Sequence, residues 1–179
     1  MGRVFYVRHG QSETNLRGVF AGGQDDTPLT DLGRQQARQA GQELNKDHID
    51  HIICSPLSRT YETAQIIARE IGFDAAKIKK DARLQEYDIG SGNGMPVDGM
   101  TAVKMIALPG AENPQLFAER VRNALFDISK LNGTTVIAGH AGVGRIIECL
   151  KTNRNPAEFF DIEGYPNGQA IKLDLRWLE

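Results

Sequence analysis

The sequence predicts an α/β fold: a three-layer sandwich with a central, mostly parallel sheet and helices on both faces. Three observations carry that expectation. Short β-rich runs alternate with longer helical patterns along the chain. The runs at 3–8 and 134–139 are almost continuously apolar, as strands covered on both faces are. No repeat or low-complexity segment interrupts the alternation. With 179 residues, a single domain over 1–179 is expected.

The elements follow in order. "RVFYVR" (3–8) reads as a central strand. "PLTDLGRQQARQAGQEL" reads as a helix, with Thr30 as N-cap, Asp31 in the first turn, and Ala37, Ala40, Gly41 and Leu44 at helical spacing. "HIIC" (51–54) is a second strand, and "SRTYETAQIIAREIG" a helix closed by Gly72. A weak strand falls near "KIKK" (77–80). Residues 89–100, "IGSGNGMPVDGM", read as a loop leading to a short helix from Thr101, and loops of this length often wall a site. The next helix has Asn113 as N-cap and Pro114 at N1. Its apolar stripe is Leu116, Phe117, Val121, Leu125, Ile128 and Leu131, and Gly133 closes it. "TTVIAG" (134–139) is a third apolar strand, followed at once by the helix "VGRIIECL". "AIKLDL" (170–175) alternates, as a strand with one wetter face does.

Composition narrows the function. Hydrophobic residues at 40% and charged residues at 25% are ordinary for a globular protein and wrong for a disordered one. A net charge of −2 offers neither nucleic acid nor an anionic membrane a basic face. Any anion site must therefore be built locally, from a few placed arginines. Cys54 and Cys149 read as packed thiols of a reducing compartment. The N-terminus lacks a signal-peptide pattern, Tyr6 stands where myristoylation needs Ser or Thr, and no apolar stretch is long enough to span a membrane. A cytoplasmic location is the expectation.

Ligands of α/β sheets gather outside the carboxyl ends of the parallel strands. Here those ends read "VRHG", "CSPLSR" and "AGHAG". Together they bring two histidines, His9 and His140, and two arginines, Arg8 and Arg59. That set suits a tetrahedral dianion, because arginine forks match phosphate oxygens and keep their charge. A neutral imidazole is also a nucleophile toward phosphorus near pH 7. A departing alkoxide then needs a carboxylic acid, for which "LQEYDIGSGNG" offers Glu86 or Asp88. His48 and His51 in "KDHIDH" sit at the polar entrance to a strand without a third ligand nearby, so they read as a solvated turn. No metal and no cofactor is expected. Met95, Met100 and Met105 could line a substrate wall or fill gaps.

"VRHGQSETN" resembles the signature of the histidine phosphatase superfamily, the phosphoglycerate mutase-like fold. The resemblance extends in order through "GGQDDTPLTDLGRQQA", "CSPLSRTYETAQIIA", "LQEYDIGSGNG", "PGAENPQLFAERV" and "VIAGHAGVGRII", nearly the whole chain. It implies that His9 is the nucleophile that becomes phosphohistidine. It implies that Arg8, Arg59 and His140 clamp the phosphoryl group, with a hydrogen bond from Asn15. It makes Glu86 the acid, then the base for water, and places Gly22 and Gly23 against the substrate.

The sequence departs from the family pattern in four places. Thr14 stands where Trp is frequent, and Gly139 where Ser or Thr is usual. The insertion that supplies mutases with basic residues for the glycerate carboxylate is short here, Met95 to Pro109, with Lys104 as its one basic residue. The mutases' shielding C-terminal tail looks absent. The expectation is therefore a phosphatase for a small phosphorylated substrate rather than a phosphoglycerate mutase. Protein phosphohistidine phosphatases tend to lack the acid, and a non-catalytic phosphate-binding module would have lost His9, Arg59 or His140. Nothing in the sequence sets the oligomeric state.

Overall fold

The computed structural model describes residues 2–23 and 25–178. Five strands, β1 (Arg3–Arg8), β2 (His51–Cys54), β3 (Lys79–Lys80), β4 (Thr134–Gly139) and β5 (Ala170–Leu173), form one sheet in the order β3-β2-β4-β1-β5. The first four are mutually parallel, and β5 runs antiparallel to β1. Among the described residues six α-helices accompany them: α1 (Glu13–Leu16), α2 (Asp31–Leu44), α3 (Ser58–Glu70), α4 (Ala102–Ile106), α5 (Pro114–Ser129) and α6 (Ala141–Lys151).

Strand alternation divides the core into two layers. Val4 and Tyr6 of β1, Ile53 of β2 and Ile137 of β4 pack with α5 and α6. Val7, Ile52, Cys54, Val136 and Ala138 face the other way, onto α2 and α3. Every residue of β4 is buried, as its apolar run predicts. Each fully buried aliphatic side chain contributes about 1.5–3 kcal/mol. A one-residue slip would exchange the two faces, so register is firmly set. That register pairs Arg8 with Gly139 and lets the His9 N–H donate to the Gly139 carbonyl at 2.9 Å. The two histidine-bearing strand ends are thereby fixed side by side.

The caps agree with the sequence. Thr30 accepts from the Gly33 N–H, and Asn113 accepts from the N–H groups of Gln115 and Leu116, with Pro114 behind it. Gly72 follows the α3 C-cap with a φ of +69°. Gly10 and Gly33 let β1's exit lie against α2: a β-carbon on Gly10 would fall 2.1 Å from the Gly33 carbonyl oxygen.

Three boundaries and one side chain differ from expectation. The weak strand shrinks to Lys79–Lys80, because Asp74 caps a 3-10 turn over Ala75–Lys77. The last strand stops at Leu173, where pairing with β1 ends and Asp174 turns to bind Arg176. Helix α5 ends at Ser129 rather than near Gly133. Leu116 leaves its stripe and is 61% exposed, since it lies in the first turn, away from the face that Phe117 and Val121 bury. The loop after Ile89 does lead to a short helix, α4, capped by Thr101. Among the described residues no helix is long and apolar enough to cross a membrane.

Candidate active site

A cavity opens at the carboxyl end of β1, β2 and β4. Arg8, His9, Asn15, Gly22, Arg59 and Glu86 all line it. His140 lies behind His9, fully buried, with ring centroids 5.4 Å apart in an edge-to-face arrangement. Gly23 is not among the lining residues; its N–H bonds to the Tyr87 carbonyl, and it packs on the Glu86 backbone instead. Met105 lines the cavity, while Met100 packs on the core and Met95 is exposed.

His9 is the centre of the arrangement. Its Nδ1 lies 2.7 Å from the Gly10 carbonyl oxygen. A carbonyl only accepts, so Nδ1 carries the proton and the lone pair sits on Nε2. Burial pushes the imidazole well below its ordinary value, and the Arg59 and Arg8 guanidiniums push the same way. The ring is therefore neutral and nucleophilic at physiological pH. Its backbone is pinned from outside the sheet, since Asn167 Nδ2 donates to the His9 carbonyl at 2.7 Å.

The two arginines are anchored by carbonyls. Arg59, 1% exposed at the start of α3, donates to the carbonyls of Asp25 at 2.6 Å and Ala21 at 3.4 Å. Arg8 donates to the Tyr165 carbonyl at 3.1 Å, and its Nε is buried without a partner. Neutral acceptors orient the forks without neutralising them, so both charges stay available to an anion. His140 Nε2 meets Ser55 Oγ at 2.8 Å, and its Nδ1 is a second buried orphan. Burial, then Arg59, lowers the His140 imidazole well below its ordinary value. Orphaned buried polar atoms are costly; one of these lies on the cavity wall at Arg8, and the other lies on His140 behind His9.

Asn15 sits in α1, where Ser12 and Asn15 form a reciprocal capping box. Its Oδ1 accepts from the Ser12 N–H at 3.2 Å, which turns the amide nitrogen away as a donor. Thr14 is buried in a hydroxyl chain with Ser12 and Thr27. Gly139 has a local cause too. Tyr6 donates to the His140 carbonyl at 2.6 Å, and its hydroxyl would lie 2.3 Å from any β-carbon at 139. Tyr6 fills the space that a Ser or Thr would need.

Glu86 stands across the cavity. Its Oε1 accepts the Tyr87 N–H at 2.9 Å and its Oε2 the Gly142 N–H at 3.0 Å. Arg120 of α5 holds this segment in place: it donates to the carbonyls of Arg83, Gln85 and Glu86 and pairs with Glu112 at 2.7 Å. Arg120→Met is expected to cost about 2–4 kcal/mol by urea unfolding, since it strips one partly buried ion pair and three carbonyl bonds. An unchanged midpoint would remove Arg120 from this role.

Sequence reasoning missed Ser55, Asn167, Arg120 and Arg145. Asn167 lies in "PNG", which reads only as a turn, and Arg120 is one charge among several on α5. Arg145 did leave a signal, the one cationic residue inside the mostly apolar "VGRIIECL".

A family model described as histidine phosphatase superfamily (branch 1) matches residues 4–176. A protein named probable phosphoglycerate mutase GpmB, from Salmonella choleraesuis (strain SC-B67), is 37% identical over 135 residues, 69% of this chain and 61% of that protein. The chain thus spans about 61% of the length of the curated relatives it matches. A mycobacterial glucosyl-3-phosphoglycerate phosphatase, solved in complex with VO3, has a TM-score of 0.81 at 25% identity, covering 97% of this chain and 91% of that one. YhfR of Bacillus stearothermophilus shares the fold, with a TM-score of 0.83 at 21% identity over 97% of this chain and 91% of that one.

Proposed function

The chain belongs to the histidine phosphatase superfamily, and from its cavity we propose that it hydrolyses phosphate monoesters of small metabolites through a phosphohistidine at His9, in the cytoplasm, without metal or cofactor. The observation that carries this reading is the His9 imidazole. It is neutral, has Nδ1 committed to the Gly10 carbonyl, and lies between two guanidiniums and opposite a carboxyl group.

The chemistry takes two steps. His9 Nε2 attacks phosphorus as the ester P–O bond breaks, and Glu86 in its acid form gives its proton to the departing oxygen. Arg8 and Arg59 stabilise the charge on the equatorial oxygens, with donors from Asn15 and His140. Water then enters where the alcohol left. Glu86, now carboxylate, takes a proton from it, the oxygen attacks phosphorus, and the P–N bond breaks. His9 returns neutral, and phosphate departs.

Hydrolysis is favoured over mutase chemistry by the wall at 95–109. Its one basic side chain, Lys104, is exposed and bonds to the Gly99 carbonyl at 2.9 Å rather than facing the cavity. The test is a panel of phosphate esters, assayed with and without bisphosphoglycerate. Free phosphate is expected from several esters with no need for bisphosphoglycerate. Bisphosphoglycerate-dependent isomerisation with no phosphate release would overturn the reading in favour of a mutase. Two of the three proteins named above carry phosphoglycerate in their names, so esters of glyceric acid head the panel.

A further inference from the structure

Arg145 lines the same cavity, and no role has been given to it. It sits on α6, five residues after His140. Its guanidinium lies over the Phe160 ring at 4.5 Å, beside Gly164, and its Nε is buried without a hydrogen-bond partner. Among the described residues it makes no ion pair. A stacked cation with no ion pair and an unpartnered Nε, in a partly desolvated wall, is a costly arrangement unless a ligand completes it.

Two observations say which part of a ligand that is. The first is charge. The charged side chains lining the cavity are Arg8, Arg59, Arg145 and Glu86. For the first chemical step Glu86 must be neutral, and a phosphoryl dianion then balances two of the three guanidiniums. One positive charge is left over. The second is position. The Phe160 ring beneath Arg145 packs on Phe20, with ring centroids 5.7 Å apart. Both rings line the cavity together with Val97 and Met105. This apolar wall suits the organic part of the ester, and Arg145 stands within it.

Building on the phosphomonoesterase reading, we infer that Arg145 is a specificity-determining residue: it receives a second oxyanion, carboxylate or phosphate, on the leaving-group portion of the substrate. The preferred substrates are then small acidic phosphate monoesters, whose second anion takes the Arg145 fork while Phe160 stacks behind it. The residue does this from α6, whereas the short 95–109 wall contributes no cation to the cavity.

The test is direct binding by calorimetry in the His9→Ala protein, which is readable whether or not the enzyme turns over. The probes are 3-phosphoglycerate, 2,3-bisphosphoglycerate and glycerol 3-phosphate; the first two carry a second anion and the third does not. A charged hydrogen-bonded pair of this kind corresponds to roughly a 10- to 100-fold preference for the acidic ester. Adding Arg145→Met, which keeps a stem to pack on Phe160, is expected to bring that ratio near unity. Adding Arg145→Lys is expected to retain part of it. A preference already present with 3-phosphoglycerate marks a carboxylate site, and one confined to 2,3-bisphosphoglycerate marks a phosphate site. If Arg145→Met weakened all three probes by the same factor, Arg145 would belong to the phosphoryl clamp and the inference would be overturned. If the parent showed no preference for the acidic esters, it would be overturned equally. Absence of phosphate release from any ester by the wild type would instead count against the hydrolase reading, with the binding ratio still deciding the role of Arg145.

Discussion

Replacing His9 by alanine is expected to lower kcat by at least ~10⁴-fold on every ester, the largest loss of any single substitution in this protein. Removing the group that forms the covalent intermediate leaves only binding and electrostatic help, and such losses reach ~10⁶-fold in other nucleophilic enzymes. A rapid acid-free quench of wild type with labelled ester should trap one phosphate on His9. That phosphoramidate should be stable to base and labile to acid. Retained turnover in His9→Ala would sink the mechanism. The protonation state is testable in its own right. Burial and then Arg59 and Arg8 depress the His9 imidazole well below its ordinary 6.5. Ring resonances in an NMR titration should therefore stay in the neutral form through pH 6.5 and shift only below it. The linked stability has a definite sign. Below about 6.5 the unfolded chain binds protons at His9 and His140 that the native state does not, so ν(U) exceeds ν(N). Stability is highest above that pH and is lost as pH falls toward the folded values.

Glu86→Gln is expected to split substrates by leaving group. The relevant measure is kcat/KM, which reports transfer to His9 and is blind to the later hydrolysis. Alkyl esters leave as strongly basic alkoxides and should lose ~10²–10³-fold, within the range of general acid catalysis. Nitrophenyl esters leave without a proton and should lose less than ~10-fold. Part of the loss is common to both. The carboxylate accepts one N–H on each oxygen, from Tyr87 and from Gly142, and an amide can accept on only one. The ratio between the two ester classes is therefore the readout. In kcat, nitrophenyl esters should slow further, with a burst of nitrophenol, because Glu86 is also the base for water. Equal losses in kcat/KM for both classes would move the acid elsewhere.

Much of this was legible along the chain because it depends on local periodicity and strand ends. The apolar runs of β1, β2 and β4 need only their own residues to announce burial, and Arg8, His9 and His140 follow directly from where those runs stop. Thr30 and Asn113 cap their helices through bonds spanning two or three residues, the distance over which sequence speaks most plainly. Element ends were less legible. Alternation carries the last strand to 175, yet it stops at Leu173, because its length is set by β1 across the sheet.

What the sequence determined by itself is the set of candidate groups: two histidines and two arginines at the mouth of a parallel sheet, with a carboxyl group to follow. What only the tertiary structure decided is the setting of each group. Ser55, Asn167 and Arg120 hold their targets across 85, 158 and 34 residues of chain, a reach no local pattern encodes. Gly139 became intelligible once Tyr6 was seen to occupy its side-chain space. Arg145 acquired meaning only when folding placed it over Phe160 at the cavity wall, with its Nε unpartnered. The physical reason is common to all of these. Reactivity depends on residue type and local position, whereas orientation, desolvation and unbalanced charge are properties of surfaces that meet only after the chain has folded.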